Sequence, residues 1–128
     1  MSFSWAEYLD VAYELVGIAV QQPAGREAHQ RAAISRAYYA AYKTALNVAK
    51  SRDHYLEPTN AGVHRQLIEH FANSTDLNRQ DIARDLKELL DYRRMADYND
   101  FIAPLVLARN TAIGLQLATH LLAKLARL

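Results

Sequence analysis

Two segments carry the residue types that could do chemistry: Tyr92 to Asp100, YRRMADYND, and Ile34 to Ala45, ISRAYYAAYKTA. If Ile82, Leu86 and Leu90 set the inward stripe of a helix, Arg93 and Asp97 continue it, with Arg94 and Tyr98 alongside. A charged pair aimed at a core is costly unless satisfied, and Arg93 and Asp97 stand one turn apart, as a salt bridge needs. Two readings stay open. In the first, the pair satisfies itself and the hydroxyls of Tyr38, Tyr39 and Tyr42, and so locks two helices together. In the second, Arg93, Arg94, Asp97 and Tyr98 line a polar groove, with Ser35, Arg36, Tyr39 and Tyr42 across from them. Eleven of the fifteen basic residues are arginine, which pairs bidentately with carboxylate or phosphate.

Other chemistries find less support. The chain has no cysteine, so disulfides, thiolate catalysis and the usual zinc-finger spacings are excluded. None of the six glutamates has a histidine three residues on, so the di-metal carboxylate site of helical bundles has no ligand set. No metal and no cofactor are expected. His64 and His70, on a short helix and without i, i+4 spacing, read as solvated; His29, His54 and His120 are isolated. The four glycines never cluster into a phosphate-cradling loop, and Ser35 lies inside a helix rather than on a strained turn. Arg26, Arg31, Arg36, Lys43 and Lys50 could position phosphate, but they also read as an ordinary solvated face.

The elements that must position these groups are all helices. Ser4 and Glu7 have the spacing of a capping box, with Phe3 stapled onto Tyr8, so the first helix is expected from there to Gln21. Pro23 and Gly25 break it. A second, Ala-rich helix is expected over Arg26 to Lys50, where small residues let neighbours approach closely. Ser51 to Thr59 reads as a loop, with Thr59 or Asn60 capping a short third helix built on Val63, Leu67, Ile68 and Phe71. A fourth helix is expected over Arg79 to Tyr98. The last should start near Phe101, with Pro104 in its first turn. On it Leu105, Ala108, Ala112, Leu115, Leu122 and Ala126 form one stripe. Val106, Ile113, Leu117, Leu121 and Leu125 form another, leaving a wide core face or an interface as alternatives. The expected fold is all-α: an up-down four-helix bundle with one short additional helix, in a single domain over residues 1–128.

A formal charge of +1 gives no global case for nucleic acid or an anionic membrane, so any such binding needs a local patch. No run approaches the roughly 20 apolar residues that span a bilayer, and the N-terminal residues lack a basic segment followed by an apolar one. A protein that stays in the cytoplasm, away from membranes, is expected.

Together, ISRAYYAAYKTA and YRRMADYND, in this order and in an all-helical chain of this length, resemble the HEPN superfamily, in particular its small prokaryotic members. The resemblance covers Arg31 to about Ala118. It implies a helical domain that forms a homodimer and is paired with a small nucleotidyltransferase as toxin and antitoxin. It also implies, in many members, a metal-independent ribonuclease whose arginine is followed by four to six residues and a histidine. Here the positions after Arg93 and Arg94 hold Tyr98, Asn99, Asp100 and Phe101, and no histidine follows before His120. Arg94 and Asn99 match best by spacing, but asparagine cannot shuttle a proton at neutral pH. Asp97, or a histidine from the short helix, would have to substitute. Tyr98 is the nearest counterpart of a tyrosine that the partner enzyme adenylylates in some members. The resulting expectation is a nucleotide- or RNA-binding component without the usual catalysis. The alternatives are a protein-interaction module with a structural Arg/Asp corner, and a ribonuclease with a replaced base.

Overall fold

The computed structural model describes residues 2–128. Five helices follow one another: α1 (Glu7–Gln21), α2 (Arg26–Arg52), α3 (Val63–Ala72), α4 (Leu77–Tyr98) and α5 (Pro104–Ala126), with no strand among the described residues. No helix among them is long and apolar enough to cross a membrane.

Helix boundaries follow local chemistry, with five differences from the expected ones: α2 runs on through Ser51 to Arg52, α5 starts at Pro104 rather than near Phe101, and three more concern α1, α3 and α4. The capping box does not form: Ala6 is the N-cap of α1 without a side-chain cap, and Ser4 contributes its carbonyl, which accepts from the Glu7 N–H. What fixes the entry instead is an aromatic cluster, Phe3, Trp5 and Tyr8, packed edge to face at 5.1 to 5.9 Å. The start of α3 is set by Gly62, at φ 87°, rather than by Thr59 or Asn60, because the chain must turn through the left-handed region there. Helix α4 begins two residues earlier than expected, at Leu77, where the Asp76 carboxylate accepts the Asn78 N–H. Pro104 opens α5, where its missing N–H is harmless.

Helix α2 is the central element and packs against α1, α4 and α5, while α3 packs on α4. It is buried on most of its circumference. Ala33, Ala37, Ala40, Ala41, Ala45 and Ala49 are fully covered, and Tyr38, Tyr42 and Leu46 fill the spaces between helices. Small side chains on a central helix let three neighbours approach at once.

The inward face of α5 differs from both expected stripes. Leu107, Asn110, Thr111, Gly114, Leu115, Ala118, Leu121 and Leu125 are buried, while Leu105, Ala108, Ala112, Ile113 and Ala126 are exposed. The polar members are satisfied in place. The Thr111 hydroxyl donates to the Leu107 carbonyl, and Asn110 Nδ2 lies 3.4 Å from Met95 Sδ. A small cluster of Ile34, Ala96, Ile102 and Leu107 joins α2, the end of α4 and the start of α5 directly beneath the Arg93 region.

Candidate functional site

Arg93 and Asp97 do pair. Arg93 Nε lies 2.9 Å from Asp97 Oδ2, and both side chains are largely covered, at 13% and 28% exposure. The Nε–H is not aimed along that line and remains buried without a directed hydrogen bond, so charge holds the pair more than geometry does. The rest of the guanidinium is occupied by aromatic groups. Nη2 donates to the Tyr39 hydroxyl at 3.0 Å, and the Tyr38, Tyr39 and Tyr98 rings lie 5.3 to 5.9 Å from Cζ. Ser35 Oγ donates to Asp97 Oδ2 at 3.3 Å. Arg93 is thereby a tie between α2 and α4.

His64, expected to be solvated, belongs to this cluster. It is the second residue of α3, and its ring packs 4.4 Å from that of Tyr42, with Nδ1 2.6 Å from the Tyr38 hydroxyl. Tyr38 is fully buried, and burial first, then the neighbouring Tyr42, pushes its pKa far up, so the phenol keeps its proton. Among the described residues that hydroxyl has one partner, His64 Nδ1. Donating to Nδ1 leaves no buried O–H unpaired, which fixes the proton of neutral His64 on Nε2. Nε2 has no hydrogen-bond partner among the described residues, and His64 as a whole is half-buried. Burial, and then the charges of Arg93, Arg94 and Lys43, hold the His64 pKa below its ordinary 6.5.

The remaining expected residues fall into different places. Arg94 is exposed and has no carboxylate partner among the described residues. Tyr98 is 69% exposed, and Phe101 and Leu105 after it are more so. Tyr42 is buried, with its pKa raised by burial and then by Glu57. Asn99 is the C-cap of α4, where its carbonyl, with that of Ala96, accepts from Arg31 Nη1. Arg36 does not join the groove: its guanidinium lies over the Tyr8 ring, toward α1.

The broader basic row does not assemble either. Arg26 donates to the Ala19 and Val20 carbonyls at the end of α1, Arg31 caps α4, and Lys50 pairs with Glu57. Lys43 alone of the row stays near the cluster, its ammonium 5.1 Å from the Trp5 ring centroid.

A second polar cluster lies at the other end of α3, and nothing in the residue spacing announced it. His70, expected to be solvated, has Nε2 2.9 Å from Asp53 Oδ2, and Arg79 meets Asp53 Oδ1 at 2.6 Å and Asp76 Oδ2 at 3.3 Å. Burial alone would raise the Asp53 pKa, but hydrogen bonds and charge from His70 and Arg79 outweigh it and hold the carboxyl below its ordinary value. A polar depression of about 590 Å³ lies over this cluster. Another, of about 620 Å³, runs between α3 and α4 along Ile68, Ala72, Leu77 and Ala83. Neither touches the tyrosine and His64 cluster. Among the described residues no three His, Asp or Glu side chains converge as a metal site would require. No protein-family model, curated protein or solved structure matches the chain.

Proposed function

We propose that this is a HEPN-like protein, an up-down bundle of four long helices with α3 inserted, that binds nucleotide or RNA phosphate at the α4 corner. In this reading it acts as the non-catalytic, homodimeric half of a nucleotidyltransferase-linked pair in the cytoplasm. The observation that carries the binding reading is the contrast between two adjacent arginines. Arg93 is occupied by Asp97, Tyr39 and three rings, whereas Arg94 is exposed with no carboxylate partner. An exposed guanidinium beside the exposed Tyr98 ring offers charge for a phosphate and a face for a base. Phe101 and Leu105, exposed at the same corner, give a second copy apolar surface to cover.

The ribonuclease alternative has its best base in His64, which packs against the same Tyr38 and Tyr39 rings as Arg93. Yet the Tyr38 hydroxyl occupies Nδ1 and places the neutral imidazole proton on Nε2, so the nitrogen left without a partner donates and cannot abstract. Asp97 is held by Arg93 and Ser35. Both replacements are therefore poorly set up for proton abstraction, which favours binding without cleavage.

The test is anisotropy with a labelled single-stranded RNA, followed by incubation of the same RNA without metal. Wild type is expected to bind without cutting, and Arg94→Ala to bind at least tenfold more weakly. Equal affinity in the variant would remove Arg94 from the site, and metal-free cleavage would restore the ribonuclease reading. Light scattering on the same preparation checks the homodimer.

A further inference from the structure

Tyr98 combines a large exposed ring with a backbone that is held on both sides. It is the last residue of α4 and is 69% exposed. The Arg31 guanidinium reaches across from α2, and Nη1 donates to the carbonyls of Ala96 and Asn99 while Nη2 donates to that of Asp100, so the chain is clasped before and after Tyr98. Beneath it Ala96 and Ile102 are buried together with Ile34 and Leu107. The ring is held as well. The Arg93 guanidinium lies over one face, with Cζ 5.5 Å from the centroid, and Arg93 is itself held by Asp97 and Tyr39. Tyr98 joins neither core cluster, so its open face serves no packing within the chain. A ring backed by a fixed guanidinium on one side and open on the other gives up little freedom when a flat group is laid on it.

We propose that Tyr98 is a preformed stacking platform for one unpaired nucleobase, and that Arg93 is the residue that positions its ring. The proposal rests on the binding reading above and deepens it by naming the ligand as single-stranded and the base as what Tyr98 takes. Arg94 and Tyr98 stand four residues apart on α4, so they share a face of the helix about 6 Å apart along its axis, within reach of one nucleotide's phosphate and base. Arg94, exposed and without a carboxylate partner among the described residues, takes the phosphate. A π-face accepts any base that is splayed out, but not one inside a duplex, where neighbouring pairs cover both of its faces. Selection is therefore for single strands, and only weakly for sequence.

The experiment compares three labelled probes of equal length on the full chain: oligoadenylate RNA, the same sugar–phosphate strand without bases, and oligoadenylate paired with its complement. The single strand should bind about tenfold more tightly than either of the others, the effect of one stacked base. That ratio should fall to about one in Tyr98→Ala and Tyr98→Leu and persist in Tyr98→Phe, since stacking needs the ring and not the hydroxyl. Arg94→Gln should weaken the single strand and the abasic strand alike, by about tenfold, and keep their ratio. Arg93→Lys keeps a charge beside Asp97 but not the planar group under the ring. It should lower the ratio and shrink the upfield NMR shift that a stacked base gives the Tyr98 ring protons, which loss of a merely structural tie would not do. Equal binding of the single and abasic strands by wild type, or a ratio that survives Tyr98→Ala, would overturn the platform and spare the phosphate reading. A duplex bound as tightly as the single strand would overturn the selection for unpaired bases. Tyr98 ring signals that move with protein concentration and not with oligoadenylate would place a second copy on the ring and overturn the proposal. No binding of any probe would end both readings.

Discussion

The two ends of α3 hold polar clusters built from nearly the same parts, with opposite charge balance. At His70, two carboxylates, Asp53 and Asp76, surround Arg79, and the histidine meets a carboxylate. At His64, one carboxylate stands against two adjacent arginines, and the histidine meets a phenol. The first cluster is complete without a ligand and ties the loop after α2 to α3 and α4. The second ties α2 to α4 through Arg93 and leaves Arg94 without a carboxylate partner among the described residues. The presence of Arg, Asp and His in contact therefore does not distinguish a structural tie from a binding site; their balance does.

The largest effect should come from breaking the balanced cluster. Arg79→Ala leaves Asp53, at 15% exposure, beside Asp76 with no guanidinium between them. Stability in urea unfolding should fall by about 3 kcal/mol, the low end for breaking a buried pair, because Asp76 reaches water. RNA and sulfate affinity should not change. Arg93→Ala removes as many contacts but should cost less, about 2 kcal/mol, since it also relieves repulsion with the adjacent Arg94. The same change should raise the His64 pKa in the free protein, because one of its depressing charges is gone. A loss equal to that of Arg79→Ala, with no change at His64, would show the two clusters to be alike.

Acid separates the clusters along a second axis. His64 has a lowered folded pKa, so its share of stability is complete above its ordinary 6.5 and is lost as pH falls through the lowered value. Asp53 is also lowered, so its share is complete above 3.8 and is lost only at more acid pH. Melting temperature against pH should thus fall in two steps. His64→Gln should remove the first, and Asp53→Asn the second.

Much of the frame was legible in the sequence, because helix ends depend on local signals. Gly25, Pro104 and the polar run at Asn99 mark real boundaries, and the i, i+4 spacing of Arg93 and Asp97 is a real pair. The phase of α5 was not legible. Leu105, Ala108 and Ala112 look like a seam, yet Asn110, Thr111 and Gly114 face inward, and Gly114 does so where Leu89 and Tyr92 of α4 come close. Apolar count cannot reveal a hydroxyl that satisfies itself within its own helix, as Thr111 does. His64 escaped for a related reason. Its partner, Tyr38, is 26 residues away, and the one available signal was three tyrosines on α2 in need of hydrogen-bond partners.

The smallest expected change in stability is also the sharpest test of the comparison. Arg94 is exposed, has no carboxylate partner among the described residues, and stands next to an arginine whose charge Asp97 already answers. In a closed structural tie every charged group stabilises, so its removal lowers stability. In an open anion site a cation sits where the fold does not need it, so its removal leaves stability the same or raises it. Arg94→Gln should shift unfolding by no more than about 0.5 kcal/mol, and upward if at all. Adding sulfate should stabilise wild type by mass action and the variant much less. A drop of 2 kcal/mol or more in Arg94→Gln, with sulfate acting equally on both proteins, would place Arg94 in the framework and make the His64 end of α3 as closed as the His70 end.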